Sequence, residues 1–199
     1  MAGNSALAWQ VLVILLTLLP ISTAHRALAT TSSSQTYTTY IKTSCNSTLY
    51  QQLCYSSISP YASKIKGDPK KLCKTALSIA LQAASNASTT VSNLQKQKTL
   101  TSYEAQVVKD CIANVKDSID EIKQSLQAMD QLSGSDKEFQ LSNIKTWVSA
   151  ALTDENTCTD GFEKGQKVSA AVKNKIRNSI LTVARLTSNA LALINKLKI

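Results

Sequence analysis

Histidine occurs once in the 199-residue chain, at position 25. That scarcity removes Ser–His and Cys–His nucleophile pairs and leaves no imidazole cluster for a metal. Glycine is also sparse, five in all, and no glycine-rich stretch is present that could cradle a phosphate. The five cysteines contain no CxxC pair and no metal-ligand spacing. Carboxylates such as Asp117 and Glu121 read as solvated groups on helix surfaces. Glycoside chemistry would need two of them facing across a cleft. No catalytic residue, metal or cofactor is expected, and the chain does not read as an enzyme.

One long apolar run is present, at the N-terminus. Residues 6–19 are uncharged and rich in leucine and valine, and they end at Pro20. Small-residue cleavage sites follow at Ser22-Thr23-Ala24 and Ala27-Leu28-Ala29. The pattern reads as a secretory signal peptide over 1–24, with cleavage as late as 29, although no Lys or Arg precedes the run. The alternative is a membrane anchor, but the run falls short of the roughly 20 residues a span needs. No later segment is apolar enough to cross a membrane, so the expected mature protein is secreted. Residues 30–36 read as a flexible polar leader and 37–199 as one globular domain.

Helical periodicity fills that domain, and no strand pattern competes with it. Asp68 and Pro69 have the form of an N-cap and first-turn proline. After them Leu72, Ala76, Ile79, Ala83, Ala87, Val91 and Leu94 recur at spacings of three and four, which predicts a helix ending near Lys98. Thr101-Ser102-Tyr103-Glu104 is a capping box opening a second helix through Val107, Cys111, Val115, Ile119, Ile122, Leu126 and Met129. Ser135-Asp136-Lys137-Glu138 has the same form and opens a third through Phe139, Ile144, Val148, Ala151 and Leu152. Residues 160–165 read as the next turn. A fourth helix uses Val168, Val172, Ile176, Ile180, Val183, Ala190, Leu193 and Leu197. The short links force antiparallel neighbours. The expected fold is all-α, an up-down-up-down four-helix bundle with an N-terminal α-hairpin and two disulfides. Five of the six tyrosines fall between 37 and 61, and their rings are expected to cap one end of the core.

Cysteine spacing predicts the disulfides. Cys111 lies 23 residues before Gly134 and Cys158 lies 24 after it, so they reach nearly the same height on adjacent helices. Cys45 and Cys54 are nine apart. That is too far to bridge along one unbroken helix, so the chain turns at Asn46-Ser47-Thr48 and the pair closes a small hairpin. Cys73 is left over, either buried and unpaired or paired between molecules.

Charge is segregated in blocks. Residues 36–101 carry eight basic groups and one acidic, 102–163 carry five and twelve, and 164–199 carry eight and none. In the expected topology this makes one basic face and one acidic face, suited to partners of opposite charge. Two N-x-[ST] sequons, at Asn46 and Asn86, are candidate glycan acceptors in an exported protein.

Three stretches together resemble the plant invertase and pectin methylesterase inhibitor family. They are residues 40–45 leading to Leu53-Cys54-Tyr55-Ser56-Ser57, then Asp110-Cys111 with Asp117 and Asp120, then the stretch from Leu152 through Thr157-Cys158-Thr159-Asp160 to Phe162. The resemblance covers residues 37–199. It implies a secreted four-helix bundle with an α-hairpin and two disulfides, binding its target enzyme one to one across the substrate cleft. Carried over residue by residue, the partner-binding positions are Asp117, Asp120, Thr157 and Asp160. Two departures stand out. Ala113 occupies a position where members commonly have Glu, and the Pro-Lys-Phe stretch of invertase inhibitors is absent. The resemblance therefore implies an apoplastic, cell-wall inhibitor of pectin methylesterase. Alternative readings are an inhibitor of cell-wall or vacuolar acid invertase, or a non-inhibitory wall protein holding acidic pectin on the basic face. No nucleic-acid or membrane partner is expected.

Overall fold

The structure, a computed structural model of the whole chain, describes residues 34–163 and 168–199. The expected signal peptide, its cleavage sites and residues 30–33 lie outside the described residues. Helix α1 runs over residues 34–45, so 34–36 of the expected leader are helical. The chain turns at 46–50 and enters α2, Gln51–Ile58. A 3-10 turn, Ser59–Tyr61, leads into the single-turn α3, Ala62–Ile65. Lys66 at φ 51° and Gly67 at φ 78° then reverse the chain in the left-handed region, where glycine carries no Cβ penalty.

Four long helices follow. Helix α4, Pro69–Gln95, opens on Asp68, whose Oδ1 accepts from Lys71 N at 3.0 Å. Helix α5, Ser102–Asp130, opens on the expected capping box, with Glu104 N donating to Thr101 Oγ1 at 3.2 Å and Thr101 N donating to Glu104 Oε2 at 2.9 Å. Helix α6 is Lys137–Glu163 and α7 is Ala170–Asn195. The second capping box does not form. The first backbone bond of α6 runs from Gln140 N to Asp136 O, and the Ser135 hydroxyl bonds to Asp136 Oδ1 instead. The helix starts one residue late because Gly134, at φ 79°, is still turning the chain there. The turn expected at 160–165 is corrected over its first part, since Asp160–Phe162 continue α6, while 164 and 165 lie outside the described residues.

Each long helix packs against two others, α4 on α5 and α7, α6 on α5 and α7, so the bundle closes on itself. The buried seam follows a regular alternation of three and four. On α5 it is Glu104, Val108, Cys111, Val115, Ser118, Ile122, Ser125 and Met129. On α6 it is Leu141, Ile144, Val148, Ala151, Glu155, Cys158 and Phe162. This moves several expected core residues to its margin. Ile79, Ala83, Val107, Ile119 and Leu126 are half-buried, while Ala80, Ala84 and Val108 take the centre. Phe139 is 69% exposed, because it stands two residues from Leu141 and so points away from the seam.

Both disulfides are formed, Cys45–Cys54 with Cα atoms 5.7 Å apart and Cys111–Cys158 at 4.5 Å. Cys73 is free and buried in the core, and burial, with Asp68 nearby, pushes its thiol up to about 12. The α1–α2 hairpin is tied to α7 by the buried Asn189, whose Nδ2 donates to Tyr50 O at 3.0 Å while its Oδ1 accepts from Tyr50 N at 3.1 Å. Tyr37, Tyr40 and Tyr55 pack against the core as expected. Tyr50 instead lies under Arg185, 5.3 Å from its ring centroid, and Tyr61 remains exposed.

The two disulfides close loops of different length, with separations of 47 and 9 residues. Loop-closure entropy then assigns about 4 kcal/mol to Cys111–Cys158 and about 2.5 kcal/mol to Cys45–Cys54. Replacing each pair by alanine should show that order in equilibrium denaturation, with unchanged helicity. Equal losses would mean that denatured-chain entropy does not govern the longer cross-link.

Candidate functional site

The site is built on the α5–α6 pair, which carries most of the acidic residues. Successive turns of α5 present Asp117, Asp120 and Glu121. Helix α6, antiparallel and pinned by Cys111–Cys158, presents Asp154, Thr157 and Asp160. Asp117 and Asp120 share a face of α5, and Thr157 and Asp160 share a face of α6, each three residues apart. All four are exposed.

Asp117 lies with Glu121 and Asp154, close enough for the three carboxyls to influence one another. Burial first, then Asp154 and Asp117, push the Glu121 carboxyl up to about 7. Asp154 is raised by burial and by Asp117, with a hydrogen bond to Glu121 acting the other way. Glu121 is therefore not the ordinary solvated carboxylate expected of it. Asp120 pairs with Lys123 at 3.3 Å. The Thr157 hydroxyl donates to Thr153 O at 2.8 Å, back onto its own helix.

Behind this surface is a buried carboxyl that simple charge counting misses. Glu155 is fully buried, and its Oε1 accepts from Ser118 on α5 at 2.7 Å and from Thr187 on α7 at 2.9 Å. Its Oε2 has no hydrogen-bond partner among the described residues. Burial pushes Glu155 up to about 7 despite the two hydroxyls, and Asp154 and Glu121 add to the effect. The signal was available in the spacing, since Ala151, Glu155 and Cys158 stand three and four apart on one stripe. A second carboxyl behaves oppositely. Glu104 completes the α5 cap and its Oε1 also accepts from Ser169 N at 2.8 Å, beside the N-terminus of α7. Bonds from Thr101 and Ser169, at two helix N-termini, hold it down to about 2.

The opposite side of the bundle, α4 and α7, carries the basic blocks. At the α4 N-terminus these are partly engaged. Lys71 pairs with Asp68 at 3.7 Å, Lys74 pairs with Asp130, and Lys70 Nζ donates to the Asp130 and Leu132 carbonyls at 3.4 and 3.3 Å. Among the described residues no group of three or more His, Cys, Asp or Glu could hold a metal ion, and no helix is long and apolar enough to cross a membrane.

A model of the plant invertase/pectin methylesterase inhibitor family matches residues 39–193. Pectinesterase inhibitor 10 of Arabidopsis thaliana is 46% identical over 84% of this chain, and the chain spans about half of that longer protein, 54%. Pectinesterase inhibitor 4 of Arabidopsis thaliana is also 46% identical, over 80% of this chain and 81% of its own length. In three dimensions a crystal structure of a pectin methylesterase inhibitor from Arabidopsis thaliana superposes with a TM-score of 0.57. It covers 80% of this chain and 96% of the other at 18% identity, a likeness of fold.

The two buried carboxyls bracket a pH window. Glu104 has its value lowered, so its contribution is complete above about pH 4.5 and is lost as pH falls toward 2. Glu155 has its value raised from 4.5 to about 7. Its contribution is complete below about pH 4.5 and is lost as pH rises toward 7. Stability should therefore peak in mildly acidic solution. Glu155→Gln keeps an oxygen for Ser118 and Thr187 but cannot ionise, so it should lessen the neutral-side decline, to which Glu121 also contributes, and raise stability at pH 7.5 by up to about 3 kcal/mol. Thermal midpoints between pH 3 and 8 test this, and an unchanged neutral limb in the variant would refute it.

Proposed function

The chain belongs to the plant invertase/pectin methylesterase inhibitor family, and from that premise we propose that it inhibits a pectin methylesterase in the cell wall. What carries the reading is the match over residues 39–193, together with relatives named as pectinesterase inhibitors. The mechanism is occlusion. Long helices held in register by Cys111–Cys158 offer a preformed acidic surface on α5 and α6, so little conformational entropy is lost on docking. A basic esterase would be drawn to that surface by its charge. Asp117, Asp120, Thr157 and Asp160 are the contact residues in this reading, and Ala113 adjusts the match to a particular isoform. The N-terminal apolar run exports the chain to the apoplast, where Asn46 and Asn86 are available for glycans.

A second reading has an observation of its own. The block segregation of charge leaves α4 and α7 basic, a surface suited to de-esterified, acidic pectin. Binding there would be electrostatic and weakened by salt.

Oxidised protein assayed beside purified pectin methylesterase and acid invertase should inhibit the esterase, with one-to-one stoichiometry, and leave the invertase active. Asp117→Asn and Asp120→Asn should each weaken inhibition about tenfold, the loss of one charge-assisted contact, without lowering helicity. Inhibition of invertase alone would redirect the target. Silence against both enzymes, with salt-sensitive retention on polygalacturonate, would replace inhibition by the pectin-binding reading.

A further inference from the structure

Helix α4 has an uncharged middle. From Thr75 to Gln95 there is no Lys, Arg, Asp or Glu, although 18% of the chain is charged. Its exposed positions there are Ser78, Gln82, Asn86, Thr89, Asn93 and Gln95. Alongside them a groove of about 540 Å³ runs between α4, Tyr61 and α7. That volume lies within the roughly 300–1,000 Å³ of small-molecule sites. Ile79 and Leu186 supply apolar surface, Tyr61 an exposed ring, and Ser78 and Gln82 polar groups. Apolar and aromatic surface interleaved with hydroxyls and amides is the chemistry that receives a sugar ring, which offers C–H faces and a rim of hydroxyls.

One groove residue, Asn86, opens the sequon Asn86-Ala87-Ser88. Its Oδ1 accepts from Gln82 Nε2 at 3.1 Å. Its Nδ2, the atom to which an N-linked sugar is joined, has no hydrogen-bond partner among the described residues. We propose that Asn86 carries an N-linked glycan whose first N-acetylglucosamine units lie in the groove between Tyr61, α4 and α7. The bond formed joins Asn86 Nδ2 to the anomeric carbon of the first sugar. The bond broken is that carbon's link to the diphosphate of a lipid-linked oligosaccharide donor, and the amide proton leaves with the diphosphate. The tether places the sugar at the groove, and the uncharged α4 surface is the area it covers. Asn46 differs, since it stands exposed in the α1–α2 turn. The proposal rests on the export reading. It leaves the α5–α6 acidic surface free, because the groove lies on the α4–α7 side.

The full chain is to be expressed in plant cells and recovered from the extracellular fluid. The peptide containing Asn86 is then analysed by mass before and after N-glycosidase treatment. Asn86 should be occupied. Asn86→Gln should lower the thermal midpoint by about 2–4 °C and leave inhibition unchanged. Tyr61→Ala should destabilise the glycosylated protein more than it destabilises Asn86→Gln, a non-additive pair. Unmodified Asn86 in secreted protein with both disulfides formed would overturn the proposal. Additive effects of Tyr61→Ala and Asn86→Gln would overturn the seating in the groove. Retention inside the cell would defeat the export reading alone, and a chain with an unrelated export leader in place of residues 1–29 then decides the modification.

Discussion

The cross-link between Cys111 and Cys158 is the constraint on which the rest depends. Both cysteines stand on the buried seam, so the bond fixes which turn of α5 faces which turn of α6. Ser118 and Glu155 meet only in that register. A slip of one helical turn would move a contact by about 5.4 Å and strand the Glu155 carboxyl without its hydroxyl donors. The same register brings Asp117 and Glu121 beside Asp154. The cross-link thus acts on packing, on buried polarity and on the shape of the acidic surface together.

The two buried carboxyls show how the same chemical group serves opposite ends. Glu104 is held by backbone N–H groups at two helix N-termini, which favour its charged form. Glu155 sits in the seam with two hydroxyl donors and no cation, which favours its neutral form. The first joins the start of α5 to the start of α7. The second joins the middles of α5, α6 and α7. Neither attachment rests on apolar contact, and both are selective for one protonation state.

The bundle divides into surfaces with separate chemistry. Helices α5 and α6 concentrate carboxylates, some of them partly withdrawn from water, on a rigid pair suited to a macromolecular partner. Helices α4 and α7 carry basic groups, and the middle of α4 is uncharged and lies along a groove. Because the closed ring sets these pairs on opposite sides, a glycan or polyanion on one need not compete with an enzyme on the other. The α1–α2 hairpin belongs to neither face. It is fastened by its own disulfide and by the two-way bond between Asn189 and Tyr50.

Much of this was legible along the chain because its determinants are local. The Asp68 and Thr101 caps and the hairpin turn follow from backbone bonds within a few residues. The disulfide pairing follows from rise per residue and a single reversal at Gly134. The charge blocks need only the helix order to become faces. What spacing did not supply was the choice of stripe where two were available. Val107 or Val108, Ala83 or Ala84, and Phe139 or Leu141 are separated by which side the neighbouring helices occupy, a tertiary fact. The role of Glu155 has the same cause. A glutamate is ordinary on a helix surface and becomes a buried, proton-holding link only when α5 and α7 close over it. Local sequence therefore determined the helices, their order and their cross-links. Only the closed bundle decided which side chains lost water, because desolvation depends on neighbours distant along the chain.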